Sequence, residues 1–191
     1  MLKGVVDGRY QLTQKDGQQG SVQLQLSASS VTLIDDKGEL RTFDYKFGEL
    51  NATIKGKQIV SDMLLEMHPG GVISAKGNIT LGSLAKSHIM NVQGELQEVP
   101  LGLLKPYLPK YFNFPGKVTG RYALSQRGGK LAGDVALSLP NSYFIVQTAS
   151  GDKQSFAYQN GVLNAEIDGN RINVDTSLEI KGRADFQSNI T

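Results

Sequence analysis

The sequence predicts an all-β protein: an elongated, curved antiparallel sheet made of tandem repeats, with a hydrophobic groove and one short helical segment. Three observations lead there. The chain repeats itself, its apolar residues alternate with polar ones, and glycines punctuate the alternating runs at turn-like spacings. Gly4 to Leu26 (GVVDGRYQLTQKDGQQGSVQLQL) aligns with Gly116 to Leu139, with 12 identities over 23 paired positions. The match resumes from Phe43–Met67 to Phe156–Ile180 at an offset of 113, with 12 identities in 25 positions. Asn78-Ile79-Thr80 returns as Asn189-Ile190-Thr191. Repeat units share one continuous core, so the expected organisation is a first unit over 1–81, a connector over 82–115 and a second unit over 116–191, all in one sheet.

Within the first unit, Val6, Gly8, Tyr10 and Leu12 alternate with Asp7, Arg9, Gln11 and Thr13, the period of a half-buried strand. Asp16-Gly17 is a hairpin signal, and Gly128-Gly129 stands at the same place in the second copy. Val22, Leu24 and Leu26 continue the apolar set. Val31–Ile34 is expected as a separate strand, closed by a turn over Asp35–Gly38. Phe43, Tyr45, Phe47, Leu50, Ala52 and Ile54 follow, then turns at Lys55-Gly56 and, in the copy, Asp168-Gly169. Ile59–Met67 and Val72–Leu81 complete the unit, and Ile89–Leu96 supplies a strand to the connector.

The texture changes at Val99 to Pro109 (VPLGLLKPYLP). Val99–Leu103 and Leu104–Leu108 are spaced by four. Pro100 suits a first helical turn, while Pro106 and Pro109 forbid a long helix. One to two helical turns with an apolar face are expected, plugging the local core.

Composition excludes several chemistries. The net charge is +2 with acids and bases interleaved, which argues against nucleic acid as a partner. There is no cysteine, so thiol catalysis, disulfides and Cys-ligated zinc are out. No apolar run approaches membrane-spanning length, and no signal peptide is present. The abrupt end on a strand-like stretch reads as a segment of something longer. His68 and His88 have no third ligand at a recognisable spacing and are expected as loop residues. Ser83-x-x-Lys86 lacks the companion motifs of penicillin-recognising enzymes, and Asp35, Asp36 and Glu39 lack EF-hand spacing. No enzymatic activity, metal or cofactor is expected. The repeated Gly-Arg-Tyr (8–10 and 120–122) is expected to be structural, with Tyr on the apolar face and Arg in solvent.

The alternation leaves one apolar face that must be covered or used. Its expected lining is Tyr10, Leu12, Val22, Leu24, Leu26, Phe43, Tyr45, Leu50 and Ile54 in the first unit. In the second unit it is Tyr122, Leu124, Val135, Leu137, Leu139, Phe156, Tyr158, Leu163, Ile167, Val174 and Leu178. This aliphatic and aromatic set suits acyl chains, and an ordinary sealed β core accounts for it equally well.

Leu103–Pro109 leads into Pro115-Gly116-x-Val-x-Gly-x-Tyr-x-Leu, a hairpin, Gly-x-Val-x-Leu-x-Leu (Gly133 to Leu139) and Asn-Gly-x-Leu (Asn160 to Leu163). In order and in two copies, this resembles the TamB proteins of Gram-negative bacteria, within the AsmA-like group. The resemblance implies a β-taco groove with a hydrophobic interior, in a periplasmic protein anchored in the inner membrane by an N-terminal helix. It implies a role in outer-membrane biogenesis with the Omp85-type barrel TamA, in phospholipid transport between the membranes and in assembly of outer-membrane proteins such as autotransporters. Expected partners are therefore phospholipid acyl chains, TamA and outer-membrane protein clients. The alternative is a chaperone or scaffold that binds client strands by edge augmentation, without conducting lipid.

Overall fold

The computed structural model describes residues 2–3, 6–13, 18–34, 40–82, 88–102, 112–148, 150–180 and 186–190. It is a single antiparallel sheet of 14 strands, all-β as the alternation demands. The first unit runs β1 (Leu2–Lys3), β2 (Val6–Thr13), β3 (Gln19–Ile34), β4 (Leu40–Lys55), β5 (Gln58–Met67) and β6 (Val72–Thr80). Then come β7 (Ile89–Pro100) and β8 (Phe112–Asn113). The second unit follows as β9 (Lys117–Arg127), β10 (Lys130–Leu139), β11 (Ser142–Gln147), β12 (Lys153–Asp168), β13 (Arg171–Ile180) and β14 (Phe186–Ile190). The sheet is curved and open, consistent with a groove.

The sequence repeat is a structural repeat. β4 and β12 share their bounds at the offset of 113, as do β5 and β13. Each pair is joined by a two-residue hairpin with glycine first: Gly56 at φ +58 and Gly169 at φ +61. β9 and β10 turn at Gly128-Gly129, both at positive φ, as a type I′ hairpin requires. One difference between the copies has a clear cause. β3 runs unbroken for 16 residues, whereas its counterpart divides into β10 and β11. Pro140 stands at the division; it has no N–H for the ladder and interrupts it.

Val31–Ile34 is therefore not a strand of its own but the end of β3. The expected helical segment is also corrected at its start. Pro100 ends β7, paired with Lys117, because extended backbone satisfies its fixed φ as well as a helix does. Among the described residues of this segment, Leu101-Gly102 takes a single 3₁₀ step. Residues 103–111, with the rest of that expectation, lie outside the described set, as do the turn signals at 16–17 and 35–38 and the Ser83–Lys86 motif.

Two β-bulges reconcile a conflict in the expected lining. Phe43 and Tyr45 are odd-numbered while Leu50 and Ile54 are even, and strict alternation puts the two sets on opposite faces. The β4–β5 ladder shifts register between Tyr45 and Phe47, which restores Tyr45 opposite Met67 on the apolar side. The β12–β13 ladder shifts at the repeat-equivalent place, between Gln159 and Val162, and sets Tyr158 opposite Ile180.

A third bulge, between Leu96 and Val99, lies where β7 meets β9. Glu98 has φ +50 there and is held from β9: its N–H donates to Thr119 Oγ1 at 3.1 Å, and Lys117 Nζ donates to its carboxylate at 2.7 Å. The Lys117 hydrogen bond, then its charge, hold the Glu98 carboxyl below the usual value. A lowered pKa stabilises above the unfolded-state value and loses that contribution as pH falls through the folded-state value. Lys117→Gln will raise the Glu98 pKa towards that of a free glutamate. Carboxyl NMR titration measures it, and an unchanged pKa contradicts the pairing.

Candidate functional site: the apolar face

Cross-strand register builds the face one row at a time. One row runs Leu24, Leu50, Met63, Ala75, Gly94, Tyr122, Val135, Ala165 and Val174 across β3 to β13. The neighbouring row on the opposite face reads Gln23, Asn51, Asp62, Lys76, Gln93, Ala123, Asp134, Glu166 and Asn173. Eleven strands stand side by side from β2 to β14, a span of about 48 Å at ~4.8 Å per step.

Fifteen of the expected lining residues are half-buried: Val22, Leu24, Leu26, Leu50, Ile54, Tyr122, Leu124, Val135, Leu137, Leu139, Phe156, Leu163, Ile167, Val174 and Leu178. Tyr45 and Tyr158 are buried, at 3% and 2% exposure, and their hydroxyls lack a hydrogen-bond partner among the described residues. Burial pushes the Tyr158 pKa up, against a smaller opposing effect of Ser142 across the ladder. Tyr10 and Leu12 are exposed, at 79% and 64%. Phe43 sits on β4 opposite Val31, and its side chain lies outside the described set.

One end of the face is sealed. Val99, Leu101 and Val118 are buried, with Ile73, Leu96, Phe114, Leu137 and Leu139 packed on them. Phe114, Phe144, Phe156 and Tyr158 form an aromatic group beside this cluster, the closest ring centroids 5.2 Å apart. The rest is open. The accessible surface is 13232 Å², against about 8,900 Å² for a compact monomer of this mass. A sheet with no second layer packed on it accounts for this surplus.

Alternation alone also points to β5, β6 and β7, whose Met63, Leu65, Ile73, Val92 and Leu96 continue the face between the two copies. The expected lining misses them because it follows the best-matched repeat positions. Glycines on the apolar side let neighbouring side chains lie flat. Leu24 Cδ2 lies 2.5 Å from where a Gly8 Cβ would sit, and Leu137 Cδ2 lies 2.8 Å from that of Gly120. Tyr122 lies over Gly94 and donates its hydroxyl to the Ser74 carbonyl at 3.2 Å, and burial raises its pKa. The repeated Gly-Arg-Tyr is thus a packing device, with Arg121 exposed on the polar side.

The clefts lie on the other side. One, of about 940 Å³, has Glu49, Asp62, Lys76, Glu95, Arg121 and Asp134 in its lining. A second of about 610 Å³ continues it past Thr119, Ser138 and Asn164. Charged and amide side chains of both signs make this a solvated surface. No cluster of metal-binding side chains occurs among the described residues. His68 is exposed, and His88 Nδ1 accepts the Gly82 N–H at 2.9 Å.

No protein family, curated protein or solved structure matches the chain.

Proposed function

We propose that the open apolar face binds acyl chains, and that the protein acts without catalysis as a TamB-like periplasmic component of outer-membrane biogenesis. In this reading it carries phospholipid between the inner and outer membranes and supports outer-membrane protein assembly with TamA. The observation that carries the proposal is the apolar row that crosses nine strands from β3 to β13 with no covering layer among the described residues. The polar clefts suit hydrated headgroups better than acyl tails.

Affinity separates a shallow face from an enclosing one. About ten methylenes buried on all sides at ~0.8 kcal/mol each give ~8 kcal/mol, a micromolar Kd. Chains lying on an open face lose roughly half that contact and bind near millimolar. Titration with a fluorescent fatty acid tests the proposal. Saturable binding between these limits supports it, and no binding contradicts it.

One observation favours a second reading, capture of client strands by edge augmentation. Among the described residues, β2 pairs with β3 alone, so its outer edge offers unpaired backbone groups.

A further inference from the structure

The repeat shows what the free edge of β2 lacks. β9 is the second-copy counterpart of β2, and it lies between β10 and β7. The counterparts differ sharply in exposure. Val6 is 44% exposed and Val118 5%. Tyr10 and Leu12 are 79% and 64% exposed, while Tyr122 and Leu124 are half-buried. The difference is β7. It sets Val99 opposite Val118, Leu96 opposite Gly120, Glu95 opposite Arg121, Gly94 opposite Tyr122 and Val92 opposite Leu124. Glycine opposite the tyrosine gives its ring a seat: a Cβ at Gly94 would meet the Tyr122 hydroxyl at 2.6 Å and Cζ at 2.7 Å, besides the Ser74 carbonyl oxygen of β6.

We propose that the β2 edge binds an incoming antiparallel strand of the pattern apolar-x-Gly-acid-Leu. Its glycine lies under Tyr10, its acid opposite Arg9, its leucine over Gly8 and its apolar residue beside Leu12. This rests on the edge-capture reading and adds the sequence rule that the partner obeys. Backbone pairing supplies affinity without sequence preference, and the glycine supplies selection, because only a glycine lets the exposed Tyr10 ring lie flat on the incoming strand and leave water.

The test uses the full chain and a labelled synthetic peptide of residues 89–100, with hydrogen exchange to locate it. The expected result is saturable binding, protection of amides within 6–13, and at least tenfold weaker binding both for the peptide bearing Gly94→Val and for the Tyr10→Ser protein. Tyr10 is exposed, so its loss leaves the fold intact. Equal binding of the two peptides overturns the glycine rule while leaving edge capture standing. Protection at 186–190 instead, or nowhere, overturns both.

Discussion

Gly94→Val lowers stability by about 3 kcal/mol. The added Cβ lands on the Ser74 carbonyl oxygen and within 2.6–2.7 Å of the Tyr122 ring and hydroxyl. The carbonyl belongs to the β6 ladder and cannot withdraw without breaking it. The tyrosine can leave, but it then gives up its bond to Ser74, worth about 1 kcal/mol. Native stabilities of about 5–15 kcal/mol leave little room for that loss. Urea denaturation checks it, with Gly70→Ala as the control, since nothing lies within 4 Å of a Cβ at Gly70. Equal midpoints for Gly94→Val and wild type contradict the packing of Tyr122 over Gly94.

Met63→Asp abolishes acyl-chain binding, by more than tenfold in Kd, while the sheet stays folded. Met63 lies within the apolar row, between Leu50 and Ala75, and is 37% exposed, so its carboxylate substitute keeps contact with water in the free protein. An acyl chain laid across the face removes that water, and an unpaired charge has no compensation there. Asp62, next to it on the polar face, provides the control: Asp62→Asn leaves binding unchanged. Leu137 is a poorer probe, although the alternation singles it out equally. It packs on the buried Val99, Leu101 and Val118 cluster, so Leu137→Asp confounds unfolding with loss of binding. Binding that survives Met63→Asp, in a folded protein, moves the ligand off this face.

Much of this fold was legible because period-two alternation and a two-copy repeat are local signals. β5 starts one residue before the expected Ile59 and ends at the expected Met67, and the β4–β5 and β12–β13 turns fall one residue past the expected Lys55-Gly56 and Asp168-Gly169. The bulges were not legible. A bulge shows in sequence only as a parity change, Phe43 and Tyr45 against Leu50 and Ile54, and the same letters fit two strands on opposite faces. Nor was the end of β7, where Pro100 satisfies helix start and strand end alike. The apolar lining was legible as a face, since side-chain direction follows from alternation. Exposure along it was not. Tyr10 and Tyr122 both follow Gly-Arg and precede x-Leu, and the pairing of β7 with β9 separates them.

The central claim is that the apolar face is open and holds acyl chains. Photocrosslinking in Gram-negative cells tests it most directly, with a crosslinkable residue at Met63 and, separately, at Asp62. Phospholipid adducts at position 63 and none at 62 are the expected result. A folded protein with no lipid adduct at 63, or with equal adducts at both positions, contradicts it.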